Sequence, residues 1–188
     1  MDILIIGGTR FVGRALTETA LAKGHKVTLF NRGQSNPGLF PDVEEIHGDR
    51  DGGLDVLKGK TWDVAIDTCG YVPRLVKDSA QALKDAVEHY TFISTISVYD
   101  ESIYSSSGAN EDAPLAVLED ETTEEITGET YGGLKVLCEQ VAEEAMPGRV
   151  LHSRCGLIVG PHDTTDRFTY WPVRAARGGE MIAPPAEA

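Results

Sequence analysis

The fold turns on residues 3–13, ILIIGGTRFVG, where an apolar run stops at paired glycines and a different pattern begins. Residues 3–6 are an apolar, largely β-branched run of the buried-strand type. Phe11, Val12, Ala15, Leu16, Thr19 and Ala20 then recur at helical spacing, and Gly24 reads as the stop. A strand that feeds a glycine turn and then a helix aims backbone N–H groups and the positive helix end at one point. That arrangement suits a pyrophosphate. Gly7, Gly8, Thr9, Arg10, Phe11, Val12 and Gly13 are therefore the first candidate binding residues.

Outward from this turn the same alternation continues. Strand patterns are predicted at residues 27–30, 43–46, 64–66, 91–94 and 150–153, and helical periodicity at 75–87, from Leu134 towards Pro147, and at 168–177. Short apolar strands with helical crossovers predict an α/β fold, a Rossmann-like doubly wound parallel sheet with helices on both faces. The connection over residues 100–130 is too long for an ordinary loop, which marks it as functional, locally structured or mobile. Its stretch 111–129 carries eight acids and no base. That stretch reads either as a solvated acidic surface or as the flank of a pocket that disfavours strongly anionic substrates. Residues 178–188, GGEMIAPPAEA, read as the start of a further strand. Residues 1–188 are accordingly expected to be one Rossmann-like domain, a fragment that reads as though a partner lobe had been removed.

Composition narrows the function classes. The chain has 188 residues, 41% apolar and 25% charged, as folded domains do. Seventeen basic against thirty acidic side chains give a formal charge of −13, which disfavours nucleic acid and anionic membranes as partners. Cys69, Cys138 and Cys155 are odd in number and contain no C-x-x-C pair, so no disulfide framework or zinc cage is expected. His162, Asp163 and Asp166 lack a further ligand, and helix capping by Thr165 or Asp166 explains them better than a metal. With no signal-like or membrane-spanning apolar run, a cytoplasmic location is expected.

The turn GGTRFVG resembles that of the extended and atypical short-chain dehydrogenase/reductases, including the epimerase/dehydratase group and its isoflavone reductase-like and chloroplast stem-loop-binding branch, where it reads G-x-x-G-x-x-G. Gly7 matches the first glycine and Gly13 the third, while Arg10 stands in place of the second. The second strand ends in LFNRG, so Asn31 and Arg32 occupy the position where an acid would accept hydrogen bonds from the adenosine ribose. With no acid there and with Arg10 and Arg32 able to clamp a 2′-phosphate, NADP(H) is favoured, NAD(H) remaining admissible. The alternative is that both are ordinary surface arginines. The resemblance further places Asp49, with Arg50 beside it, near the adenine, and Cys69 and Gly70 in the turn beside the cofactor.

The resemblance also implies a catalytic set. ETYGGLKVLCEQ puts Tyr131 and Lys135 four residues apart, on one helical face. FISTISVYD resembles the family's Ser-Ser/Thr-x-x-Val-Tyr element, with Thr95 at the catalytic position and Ser94 before it. A tyrosine with a pKa near 10 is a poor base at neutral pH, and a nearby ammonium favours its phenolate. Lys135 would supply that charge and hold the nicotinamide ribose, while Thr95 would hold the substrate oxygen. SRCGLIVGP resembles the family segment that approaches the nicotinamide end, which adds Arg154, Val159 and Pro161 as secondary candidates. The implied function is an NAD(P)-dependent oxidoreductase or epimerase/dehydratase acting on a hydroxyl or carbonyl of a small molecule such as a sugar derivative. The alternative is a non-catalytic cofactor- or RNA-binding scaffold on the same fold. A homo-oligomer is compatible with either.

Overall fold

The computed structural model describes residues 1–105 and 110–182. The chain divides into two compact units, Met1–Gly156 and Leu157–Ala188. In the first, the order is β1 (Asp2–Ile6), α1 (Phe11–Ala22), β2 (Lys26–Asn31), β3 (Glu44–His47), β4 (Trp62–Asp67), α2 (Pro73–Leu83), β5 (Val87–Thr95), α3 (Tyr131–Ala145) and β6 (Val150–Cys155). The six strands form one parallel sheet in the order β3-β2-β1-β4-β5-β6, the doubly wound arrangement the alternation predicts. Chain direction across the sheet reverses between β1 and β4, so a crevice opens at their carboxyl ends.

Each sheet face has its own apolar layer, because successive strand residues point to opposite sides. Ile3, Ile5, Val27 and Leu29 pack with Leu16 and Ala20 of α1. Leu4, Ile6, Phe30, Tyr90 and Phe92 pack with Val76, Ala80 and Leu83 of α2 and with Cys138 and Ala142 of α3. The helical periodicity expected to run to residue 87 ends at Leu83. Val87 opens β5 instead, because the Ala86 carbonyl accepts a hydrogen bond from Trp62 N at 2.9 Å and commits the chain to the sheet.

The long connection is structured over its described part. A short 3-10 turn, Glu101–Ser105, follows β5, and residues 98–100 pair with 114–116 through Asp100 N to the Pro114 carbonyl and Ala116 N to the Val98 carbonyl, each 2.8 Å. Leu118 packs where a side chain on Gly133 would fall, so the glycine pair in YGG admits the connection against α3. Residues 106–109 of the connection lie outside the described residues.

The second unit contains α4 (Tyr170–Ala176). This helix is shorter than the expected 168–177 and has no side-chain cap, so Thr165 and Asp166 do not cap it. Thr165 turns back instead, donating through its backbone N and hydroxyl to Asp163 Oδ1. Met181 and Ile182 form no strand, and the rest of the expected final strand falls outside the described residues. Among the described residues no helix is long and apolar enough to cross a membrane.

Below the crevice lies a buried ion pair. Asp67, fully buried at the end of β4, accepts both guanidinium nitrogens of Arg50, at 3.1 and 2.7 Å, and the Tyr90 hydroxyl at 2.8 Å. Burial works against the Asp67 charge, but the Arg50 guanidinium outweighs it and holds the carboxyl below its ordinary value of 3.8. Breaking such a pair strands a buried charge. Asp67→Asn is expected to lower unfolding stability in urea at neutral pH by about 3–5 kcal/mol. Because the folded-state value is depressed, this contribution is full above pH 3.8 and is lost as pH falls through the lower folded value, so the gap to wild type should narrow in acid.

A second constraint sits where α1 begins. A Cβ on Gly13 would fall 2.6 Å from Gly8 N and 2.9 Å from Gly8 Cα, and neither backbone atom can yield as a flexible side chain would. Gly13→Ala is expected to cost about 1–3 kcal/mol of stability, measured by thermal or urea unfolding.

Candidate functional site

The glycine turn joins the end of β1 to α1. Gly7 and Gly8 take φ of +104° and +92°, where L side chains are strained, and a side chain on Gly8 would also meet Leu29. Three side chains lock the turn from below. Thr17 donates to the Gly8 and Gly13 carbonyls at 3.0 and 2.9 Å, Thr68 donates to the Ile6 carbonyl at 2.8 Å, and Asn36 donates to the Thr9 carbonyl at 2.8 Å. Arg10 stands at the helix N-cap with an extended backbone, and Phe11 follows at φ +32°. The helix start has no side-chain cap and no acid in its first turn. Its amide N–H groups and positive end are thus presented to an external anion. Val12 is half-buried and Thr9 buried, while the Arg10 side chain is exposed.

At the end of β2, Asn31 is held rather than open. Its Nδ2 donates to Glu45 Oε1 at 2.7 Å and to the Gly7 carbonyl at 3.3 Å, and its Oδ1 accepts from Gly33 N at 2.7 Å. Arg32, next in sequence, is exposed. Glu45 is a carboxylate beside the end of β2 that local reading of LFNRG misses, because parallel pairing with β3 brings it there.

Arg50 and Asp49 are arranged differently from one another. Arg50 turns inward to Asp67, and also donates to Ser79 Oγ at 2.9 Å and to the Leu75 carbonyl at 3.3 Å. Asp49 is exposed and closes its own turn by accepting from Asp51 N. Cys69 N donates to Asp67 Oδ1, and burial pushes the Cys69 thiol up to about 11, so it stays protonated at neutral pH. A side chain on Gly70 would collide with Phe92 and Val76.

The third part comes from β5 and α3. Thr95 ends β5, and its hydroxyl accepts from Ser97 N at 3.1 Å and donates to Ser97 Oγ at 3.2 Å. Gly132, beside Tyr131, lies against the Ser97 carbonyl, so α3 starts directly on the turn that follows Thr95. Lys135 is buried, donates to the Gly70 carbonyl at 2.8 Å and the Ile93 carbonyl at 2.7 Å, and sits 4.0 Å from the Phe92 ring centroid. Burial lowers its pKa from the ordinary lysine value, with nearby Cys138, Asp67 and Glu139 opposing the shift. An ammonium has three N–H donors, and these two carbonyls engage two of them.

Tyr71, on the loop after β4, was not singled out by the motifs. Its ring lies 6.4 Å from that of Tyr131 and 5.5 Å from Lys135 Nζ. Ser94 and Arg154 meet elsewhere, on Glu139. Ser94 Oγ donates to Glu139 Oε1 at 2.6 Å, and Arg154 pairs with the same carboxylate at 2.7 Å while donating to the Tyr99 hydroxyl at 3.0 Å. Glu139 follows Lys135 by one helical turn, a spacing that was readable in the sequence. Val159 and Pro161 belong to the second unit.

The chain therefore gathers the uncapped start of α1, the Asn31 and Glu45 cluster at the end of β2, and Thr95 with the start of α3 at the carboxyl ends of one parallel sheet. Known proteins share this framework. The chain is 18% identical, with a TM-score of 0.70, to dTDP-glucose 4,6-dehydratase from Bacillus anthracis in complex with NAD, covering 94% of this chain and 61% of that one. It is 22% identical, with a TM-score of 0.63, to the human epimerase family protein SDR39U1 with NADPH, covering 95% and 61%. At these identities the likeness is one of fold. Among curated proteins it is 35% identical over 113 residues to the chloroplast stem-loop binding protein of 41 kDa b from Arabidopsis thaliana, covering 52% of this chain and 30% of that protein. The chain thus spans about three fifths of the length of the solved chains it resembles. The model of the NAD dependent epimerase/dehydratase family matches residues 3–184, and the chain belongs to that family.

Proposed function

We propose that the chain binds a nicotinamide dinucleotide across its carboxyl-end crevice and, with Thr95, Tyr131 and Lys135, acts as an NAD(P)-dependent oxidoreductase or epimerase/dehydratase on a hydroxyl or carbonyl of a small molecule. The observation that carries this reading is the uncapped start of α1 behind two positive-φ glycines, at the same strand ends as Thr95 and the start of α3. The lack of any Cβ at Gly7 and Gly8 lets the turn take its positive φ and pack down on Thr68 and Leu29, which sets the start of α1 at the strand end where a pyrophosphate would sit. Cofactor-bearing neighbours with the same fold support it, carrying NAD in one case and NADPH in the other.

In this reading a bound nicotinamide supplies hydride transfer. Lys135 orients the nicotinamide ribose through its remaining N–H donor, and its charge favours the Tyr131 phenolate. Thr95 holds the substrate oxygen, and Tyr131 passes a proton to or from that oxygen. A sugar derivative is one substrate of this class, in keeping with the UDP-glucose held by a further fold neighbour, MoeE5. Arg10 and Arg32, both exposed, favour NADP(H).

A second reading, a scaffold that binds RNA without turnover, draws on the name of the chloroplast relative. The charge of −13 weighs against it.

Titration with NADPH and NADH at low salt, followed by nicotinamide fluorescence, is expected to show NADPH tighter by about tenfold, a difference of about 1.4 kcal/mol, and Arg32→Ala is expected to erase it. Equal binding would remove the arginine clamp. Once screening with NADPH yields a substrate, Tyr131→Phe is expected to lower kcat by about 100-fold or more while the NADPH Kd stays within about twofold. Unchanged turnover would contradict the catalytic assignment.

A further inference from the structure

We propose that Glu45 is a cofactor-specificity residue: from β3 it sets a negative charge beside the end of β2, where it opposes the 2′-phosphate of NADP(H) and keeps the site open to NAD(H). This rests on the reading above that the adenosine ribose lies at the end of β2.

The end of β2 has no acid of its own, since Asn31 stands there. Parallel pairing puts Glu45 level with Leu29, and His47 level with Asn31. The Glu45 side chain reaches forward by one residue pair, and its Oε1 accepts from Asn31 Nδ2 at 2.7 Å. The same Nδ2 donates to the carbonyl of Gly7, the first glycine of the turn. One amide thus ties the carboxylate to the glycine turn. On its other side, Glu45 Oε2 lies 3.3 Å from His47 Nε2, and the His47 ring packs against Gly33, at 3.1 Å from where a Cβ there would be. With 24% of its side chain exposed and a partner on each oxygen, Glu45 is a fixed charge rather than a mobile surface one.

A fixed anion inside the Debye length, about 8–10 Å at physiological salt, repels a 2′-phosphate. A 2′-hydroxyl feels no such repulsion and can donate to the carboxylate, as it does where an acid ends the second strand. Arg10 and Arg32 pull the selection one way and Glu45 the other, so the site discriminates between the cofactors only moderately. The charge came from the neighbouring strand, which is why reading β2 alone leaves it out.

The test removes the charge and keeps the acceptor. Glu45→Gln retains an oxygen for Asn31, so the turn should stay as it is. The chain and its variant are titrated with NADPH and with NADH by nicotinamide fluorescence. NADPH is expected to tighten about three- to tenfold while NADH weakens by up to about threefold, and the NADPH gain should shrink in about 0.5 M salt. If NADPH does not tighten, or both cofactors shift alike, the proposal is overturned while the binding site stands. If neither cofactor binds the unaltered chain, or both bind and NADPH ignores Arg32→Ala, the ribose placement fails, and the proposal falls with it.

Discussion

Burying a lysine is the constraint on which the crevice depends. Lys135 has left water, so its ammonium must find partners at fixed positions, and it finds the carbonyls of Gly70 and Ile93 and the face of Phe92. These groups lie on the loop after β4 and near the end of β5. One side chain therefore ties α3 to both, which sets the start of α3 against Ser97 and brings Tyr131 to the turn after Thr95. Gly70 must lack a side chain for this loop to settle on Phe92. The Asp67 and Arg50 pair performs a comparable service one layer down, joining the end of β4 to the segment after β3 and to α2 through Ser79.

Much of the framework is legible from local pattern. The run ILIIGGTRFVG announces a strand, a turn and a helix, because buried strands need unbroken apolar residues and positive φ needs glycine. Strand and helix alternation then leaves few topologies. Boundaries were less legible where two patterns overlap, as at Val87, whose apolar side chain suits the end of a helix as well as the start of a strand. Partnering decides such cases, and partnering is not local.

The same distinction separates the site residues. Gly7 and Gly8 are readable because their role is conformational and belongs to each position, and Gly13 because the backbone it must admit, at Gly8, is only five residues away. Arg50 is not, since an arginine beside a turn looks alike in sequence whether it faces a ligand or a buried aspartate. The Glu139 and Arg154 pair joins residues 15 apart on a helix and a strand. Glu45 reaches Asn31 only because β3 pairs beside β2. Electrostatics around the crevice is thus assembled from several strands, and a chain of charge −13 still exposes Arg10 at the glycine turn and Arg32 just after β2, where the Glu45 carboxylate holds Asn31.

The central claim is that the glycine turn and the end of β2 receive one dinucleotide that runs on to Thr95 and Lys135. The most direct measurement is a two-dimensional backbone amide NMR titration with NADP+. The account predicts saturable shifts at Gly7, Gly8, Gly13 and Gly33 together with residues near Thr95. Saturable shifts absent from these amides, or centred at the opposite ends of the strands, would contradict it.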